Sequence, residues 1–176
     1  MRNARNSHPA TATPVLALAA AVALFPLFPA TAAADTASGT INYQSKAGAV
    51  VVNVGNVYLI KGPNAFGDKT IRRLIFTSAD LGAKLKACAS MMCATGNVQE
   101  GMTIDFDGGG PRLDYWVVGN HQKIQASGGA KPEETLKLTA DTAQRLAGTL
   151  NIDDSASGGP KVNVKFDATL SNQYSK

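Results

Sequence analysis

Cys88 and Cys93 are the two cysteines of the chain, and they bracket Met91 and Met92 in the run LKACASMMCATG. Residues of these types support three chemistries. Two thiolates with a thioether sulfur can hold Cu(I), a dithiol can exchange with other thiols, and an oxidised pair forms a structural staple. The C-x4-C spacing departs from the C-x-x-C of redox motifs. A copper site needs reduced thiols, so the compartment decides between the first and the last.

The N-terminus speaks to that compartment. Arg2 and Arg5 precede an apolar stretch from Val15 to Phe28, and small residues follow around Ala30 to Ala34. These are the three regions of an export signal, with cleavage expected after Ala34 or Ala32. The apolar run is about 15 residues and contains Pro26, too short to span a bilayer comfortably. No stable membrane span is therefore expected after cleavage, and no cysteine near the cleavage region offers a thiol for a lipid anchor. A periplasmic or secreted chain meets an oxidising environment, where Cys88 and Cys93 are expected to pair.

Residues 1–34 thus read as a cleaved signal peptide and residues 35–176 as a single domain of ordinary size. Loss of Arg2 and Arg5 takes the formal net charge from +4 to +2. That charge is too small, and too scattered beyond the pair Arg72-Arg73, to imply nucleic acid as a partner.

The elements that must position the cysteines come next. Ser78 is a candidate helix cap and Asp80 suits the positive end of a helix dipole. Leu81, Leu85 and Cys88 then fall on one helical face. Cys88 and Cys93 cannot share a face at 100° per residue, so the helix is expected to end between them. A disulfide there would tie the helix end to the following strand.

Elsewhere the apolar period is two. Val162, Val164, Phe166, Ala168 and Leu170 alternate with polar residues, as do Leu146, Gly148, Leu150 and Ile152. The intervening DDSASGGP is rich in turn formers, so the two segments read as a long-looped hairpin. Further strands are expected over Gly39–Gln44, Val50–Val54, Asn56–Lys61, Thr70–Thr77 and Thr135–Thr139. The segments Met102–Asp107, Arg112–Val118 and His121–Ala126 read as three consecutive strands, joined by GGGP and by Gly119-Asn120. Nine or ten short strands with one short helix imply an all-β antiparallel β-sandwich, immunoglobulin-like or similar, with an antiparallel β-barrel as the alternative.

The runs KGPNAFGDKTIRRLIFTSADLGAKLKAC, EGMTIDFDGGGPRLDYWV and RLAGTLNIDD with VNVKFDATL resemble small exported all-β proteins of proteobacteria with no assigned function. The resemblance spans most of the chain after residue 34 and contains no diagnostic motif. It implies an envelope β-sandwich and transfers no functional residue.

Register supplies the remaining constellation. With GGGP as a loop, Asp105 lies opposite Asp114, Ile104 opposite Tyr115 and Thr103 opposite Trp116; with Gly119-Asn120 as a turn, Trp116 meets Lys123. One face then collects Met102, Ile104, Phe106, Leu113, Tyr115, Val117, Ile124 and Ala126. The other carries Thr103, Asp105, Asp107, Arg112, Asp114, Trp116, Lys123 and Gln125. Trp116, the sole tryptophan, could sit under Lys123 as a cation–π pair. Asp105, Asp107, Arg112, Asp114, Trp116 and Lys123 are therefore the candidate binding residues, since an indole flanked by carboxylates suits a sugar ring or a protein anchor.

Enzyme chemistries are thinly supported. His121 is the sole histidine after residue 34, no G-x-S-x-G elbow or P-loop occurs, and DFDGGG and NIDDSASGG miss the calcium-loop spacing. No catalytic residue, metal ligand or cofactor is expected. The preferred reading is a non-enzymatic exported protein, inhibitor- or immunity-like in size, that binds an envelope protein or glycan. The alternatives are a glycan hydrolase using Asp105 and Asp107, about 6.5–7 Å apart at the backbone and so near the inverting carboxylate range, and a periplasmic copper-binding protein.

Overall fold

The computed structural model describes residues 35–46, 48–64, 69–108, 113–119, 122–125 and 131–175, with the backbone alone for 123–125. Ten strands lie among them: β1 (Thr36–Ser45), β2 (Gly48–Val54), β3 (Asn56–Pro63), β4 (Thr70–Thr77), β5 (Gly101–Phe106), β6 (Asp114–Gly119), β7 (Gln122–Gln125), β8 (Leu136–Thr142), β9 (Arg145–Asp153) and β10 (Lys161–Gln173). Three short helices interrupt them: α1 (Gly82–Ala87), α2 (Met91–Gly96) and α3 (Pro132–Thr135). The protein is all-β, as its sequence period implies.

The hydrogen-bonded path runs β2-β1-β10-β3-β4-β5-β6-β7, and β8 joins through β9 to β10. Among the described residues the strand pairs are antiparallel except one, which corrects the purely antiparallel expectation. β10 is 13 residues long, and its first part pairs antiparallel with both β1 and β9. From Leu170, opposite Leu59, it pairs parallel with β3, with an irregularity in register between Leu170 and Asn172. A strand of that length can leave one set of partners and join another.

The expected β9–β10 hairpin is present, with Leu150 opposite Val164 and a 3₁₀ turn at Ser155–Ser157. Alternation on β9 and β10 turns Leu146, Leu150, Val162 and Phe166 inward, where they meet Leu74, Phe76, Ile104 and Tyr115 from β4, β5 and β6 in one core. Phe76 and Phe166 touch edge to face, centroids 5.4 Å apart. Each fully buried side chain of this size contributes about 1.5–3 kcal/mol. β5 can lie this close to β4 because it opens on Gly101, whose φ is +156° and whose missing Cβ would sit 2.1 Å from the Phe76 carbonyl oxygen.

The opposite face of β3, β4 and β6 is covered too. Ile60, Ile71, Ile75 and Val118 pack against Leu85 of α1 and Met91 and Ala94 of α2. The sequence reading expected one helix starting at Ser78. Instead Leu81 occupies the cap position, and the Asp80 carboxylate accepts from the Gly82 N–H at 2.8 Å. Ser90 caps α2, its hydroxyl accepting from the Cys93 N–H at 3.2 Å. Helices of six residues cannot persist alone, so tertiary contacts hold them, and period-based reading has too few residues to find the second.

Candidate functional site

Cys88 and Cys93 are disulfide-bonded, with Cα atoms 5.6 Å apart. The bond consumes both thiolates that the copper reading needs. It ties the end of α1 to α2, not to a strand as expected. Asn97 closes the junction, donating to Cys88 Sγ at 3.2 Å and to the Cys93 carbonyl at 3.1 Å. Among the described residues, no group of three or more His, Cys, Asp or Glu side chains could hold a metal ion, and no helix is long and apolar enough to cross a membrane.

The expected β5–β6 register is present: Asp105 opposite Asp114, Ile104 opposite Tyr115, Thr103 opposite Trp116. The β6–β7 register does not. Gly119 pairs with Gln122, so Trp116 lies opposite Gln125, and Lys123 lies opposite Val118. The slip is two residues, which preserves the faces: apolar alternation specifies parity, and only the turn selects among registers of equal parity.

The expected polar face is not a solvated surface. Thr103 is fully buried and Asp105 nearly so. The cause is Arg73 on β4, directly opposite Asp105. Its Nε and Nη2 donate to the two carboxylate oxygens, the second bond being 2.7 Å, and its Nη1 donates to Thr95 Oγ1 of α2 at 2.8 Å. The Arg73 guanidinium carbon also lies 5.6 Å from the Trp116 ring centroid. Arg73 is thus a cation beside Trp116; the side chain of Lys123, expected there, lies outside the described residues. Arg73 also offsets the repulsion that two facing aspartates would otherwise suffer.

Asp107 departs from the expected face. It follows the end of β5 with φ of +69°, a left-handed conformation that aspartate tolerates better than most residues. Its carboxylate takes a bidentate pair from Arg72, at 2.6 and 2.8 Å. Arg72 also donates to Asp141 and to the Thr142 carbonyl of β8, at 2.7 and 2.8 Å. Consecutive strand residues point to opposite faces, so the neighbours Arg72 and Arg73 draw Asp107 and Asp105 to opposite sides of the sheet. The Asp107 carboxyl is held below its ordinary range, chiefly by the hydrogen bonds from Arg72.

The two carboxylates of the hydrolase reading each have both oxygens committed to a guanidinium. Asp114 is exposed and Trp116 half-buried. Asp114 borders a cleft of about 230 Å³ that Asp105, Asp107, Pro132, Leu136 and Asp141 also line. Arg112, His121 and Ala126 lie outside the described residues, as do the side chains of Lys123, Ile124 and Gln125. Sequence reasoning missed Arg72, Arg73 and Thr95 as partners of the acidic pair. The signal was present in TIRRLIFT, because an arginine inside an apolar strand needs a buried acid opposite it.

Comparison with family models, with curated proteins and with solved structures found no match.

Proposed function

We propose that the protein is an exported, non-enzymatic binding protein that engages an envelope protein or glycan through Asp114, the part-exposed Trp116 two residues along β6, and the acidic cleft that Asp114 borders. One observation carries the reading. Asp105 and Asp107, the carboxylates best placed for acid–base work, are locked in bidentate arginine pairs, whereas Asp114 keeps an exposed carboxylate beside a part-exposed indole. Locked carboxylates and an indole steadied by a cation preorganise a recognition surface and leave little for chemistry. The cleft is below the usual range for enclosing a whole small molecule, which suits a side chain or one sugar ring. Export is supported by the N-terminal pattern and by a disulfide that persists in oxidising compartments.

The test uses the full chain as bait in an envelope extract, beside Asp114→Ala and Trp116→Ala variants, with titration of envelope glycan fragments against the emission of the single tryptophan. A partner retained by the native protein and lost by both variants supports the reading. Equal capture by all three proteins, together with an unmoved emission, would overturn it.

A further inference from the structure

The edge strand β2 carries none of the devices that usually keep a sheet edge from pairing. Its sequence, Gly48-Ala-Val-Val-Val-Asn-Val54, has no charge and no proline. It pairs with β1 in unbroken register from Gly39↔Val54 to Ser45↔Gly48, so no bulge turns it away. Its other side has no strand partner among the described residues. Edge strands left this way offer a free row of N–H and C=O groups, and proteins normally guard them with lysine, proline or a bulge.

The side chains along this edge are arranged for self-recognition. Val50, Val52 and Val54 are buried on the core side, while Ala49, Val51 and Asn53 face outward. Val51 is 61% exposed, one of two large hydrophobic residues so placed among those described, and it lies at the middle of the strand. Its cross-strand neighbour on β1 is Asn42, flanked on the same face by Thr40 and Gln44, opposite Asn53 and Ala49. The outer surface of this edge therefore carries no charge that would select a charged partner.

We infer that β2 is a homodimer interface, in which two copies pair antiparallel about a two-fold axis through Val51. That register sets Val51 beside its own copy, Val50 against Val52 of the second copy, and Val54 against Gly48. It sets Ala49 against Asn53. Lys46 sits beyond one end of the strand, so its two copies lie at opposite ends of the interface, and Lys161 stands one strand further in, across β1 from Val51. A two-fold interface must be complementary to itself, and this edge is.

Sedimentation velocity of the full-length chain, from micromolar to millimolar concentration, should show a mass doubling. Val51→Lys puts a guard on the edge at an exposed position. It should stay monomeric throughout with an unchanged melting temperature and circular dichroism. Register is read by oxidative cross-linking. Two Val51→Cys copies bring their Cα atoms to about 4.5–5.5 Å in either type of antiparallel pair, within disulfide reach. Two Ala49→Cys copies lie four residues out of register, about 13 Å along the strand. Cross-linked dimer from the first variant and none from the second is expected. A monomer at every concentration, a dimer that survives Val51→Lys, or equal cross-linking by both cysteine variants would overturn the inference.

Discussion

Arg73 and Asp105 face each other across β4 and β5 as a buried bidentate pair, with side chains 10% and 6% exposed. The pair joins three elements, because Arg73 also holds Thr95 of α2 and approaches the Trp116 ring. Desolvating two ions costs about what their attraction returns. The pair's contribution is therefore geometric: it fixes where α2 sits on the sheet and which way the indole faces.

Asp105→Ala leaves Arg73 buried and unpaired. It should cost about 3–5 kcal/mol in a urea titration and alter the emission of Trp116. Replacing both members by apolar residues of similar volume should be close to neutral or stabilising. A single substitution as mild as the double one would show that the pair is solvated in solution.

Trp116 reports its half-buried setting directly. Its emission maximum should lie between those of buried and water-exposed indole, and Trp116→Ala should cost less than the roughly 3–5 kcal/mol of a fully buried aromatic. A fully water-like spectrum would mean that Arg73 does not cover the ring.

Acid should loosen the β4–β5–β8 corner. Asp107 is ionised in the folded state to a lower pH than in the unfolded chain, because Arg72 bonds its charged form. The stability it contributes is complete above the ordinary value of 3.8 and is lost as pH falls through the depressed one. The native protein should lose melting temperature over that window more steeply than Asp107→Asn. Parallel pH profiles would remove Asp107 from the acid transition. The effect is modest, since the carboxylate is 44% exposed.

The Cys88–Cys93 bond closes a short loop, and its removal in the double Cys→Ala variant should cost about 2 kcal/mol without unfolding the protein. Intact mass before and after reduction should differ by two protons, with no bound metal. Free thiols on freshly isolated protein would contradict the oxidised pair.

Tyr115 is buried, yet its hydroxyl donates to the Asp154 carboxylate at 2.7 Å, across to the β9–β10 connection. Burial, then this bond, raises the phenol above its ordinary range. Tyr115→Phe should lose about 1.5–3 kcal/mol, the range for a hydrogen bond to a charged group, measured by denaturant titration.

The strands were legible because one of their faces is apolar: Val162, Val164 and Phe166 announce β10 by alternation alone, and Thr70–Thr77 matches β4 at both ends. The β5–β6 register was legible because parity and loop length agreed. Failures arose where alternation carries no information. Asp107 leaves the strand through a positive φ, which no side-chain pattern encodes. The burial of Thr103 and Asp105 depends on α2, a helix too short to have a period, and on Arg73, three strands' worth of chain away from Trp116. The candidate site was thus readable as a set of neighbours, but its electrostatics were set by β4, outside the stretch that suggested it.

β10 has one further consequence. It pairs with β1, Thr36 opposite Asp167, with β9, and then with β3 through Leu170. Among the described residues the first and last strands are therefore neighbours, and the core is completed only when β10 is present. Synthesis proceeds from the N-terminus at about 5–20 residues per second, so a growing chain stays unfolded until residues 161–173 are available. The long-range closure that follows is slow by its topology. Truncation near Leu170 should therefore be a lesion that prevents folding rather than one that weakens it.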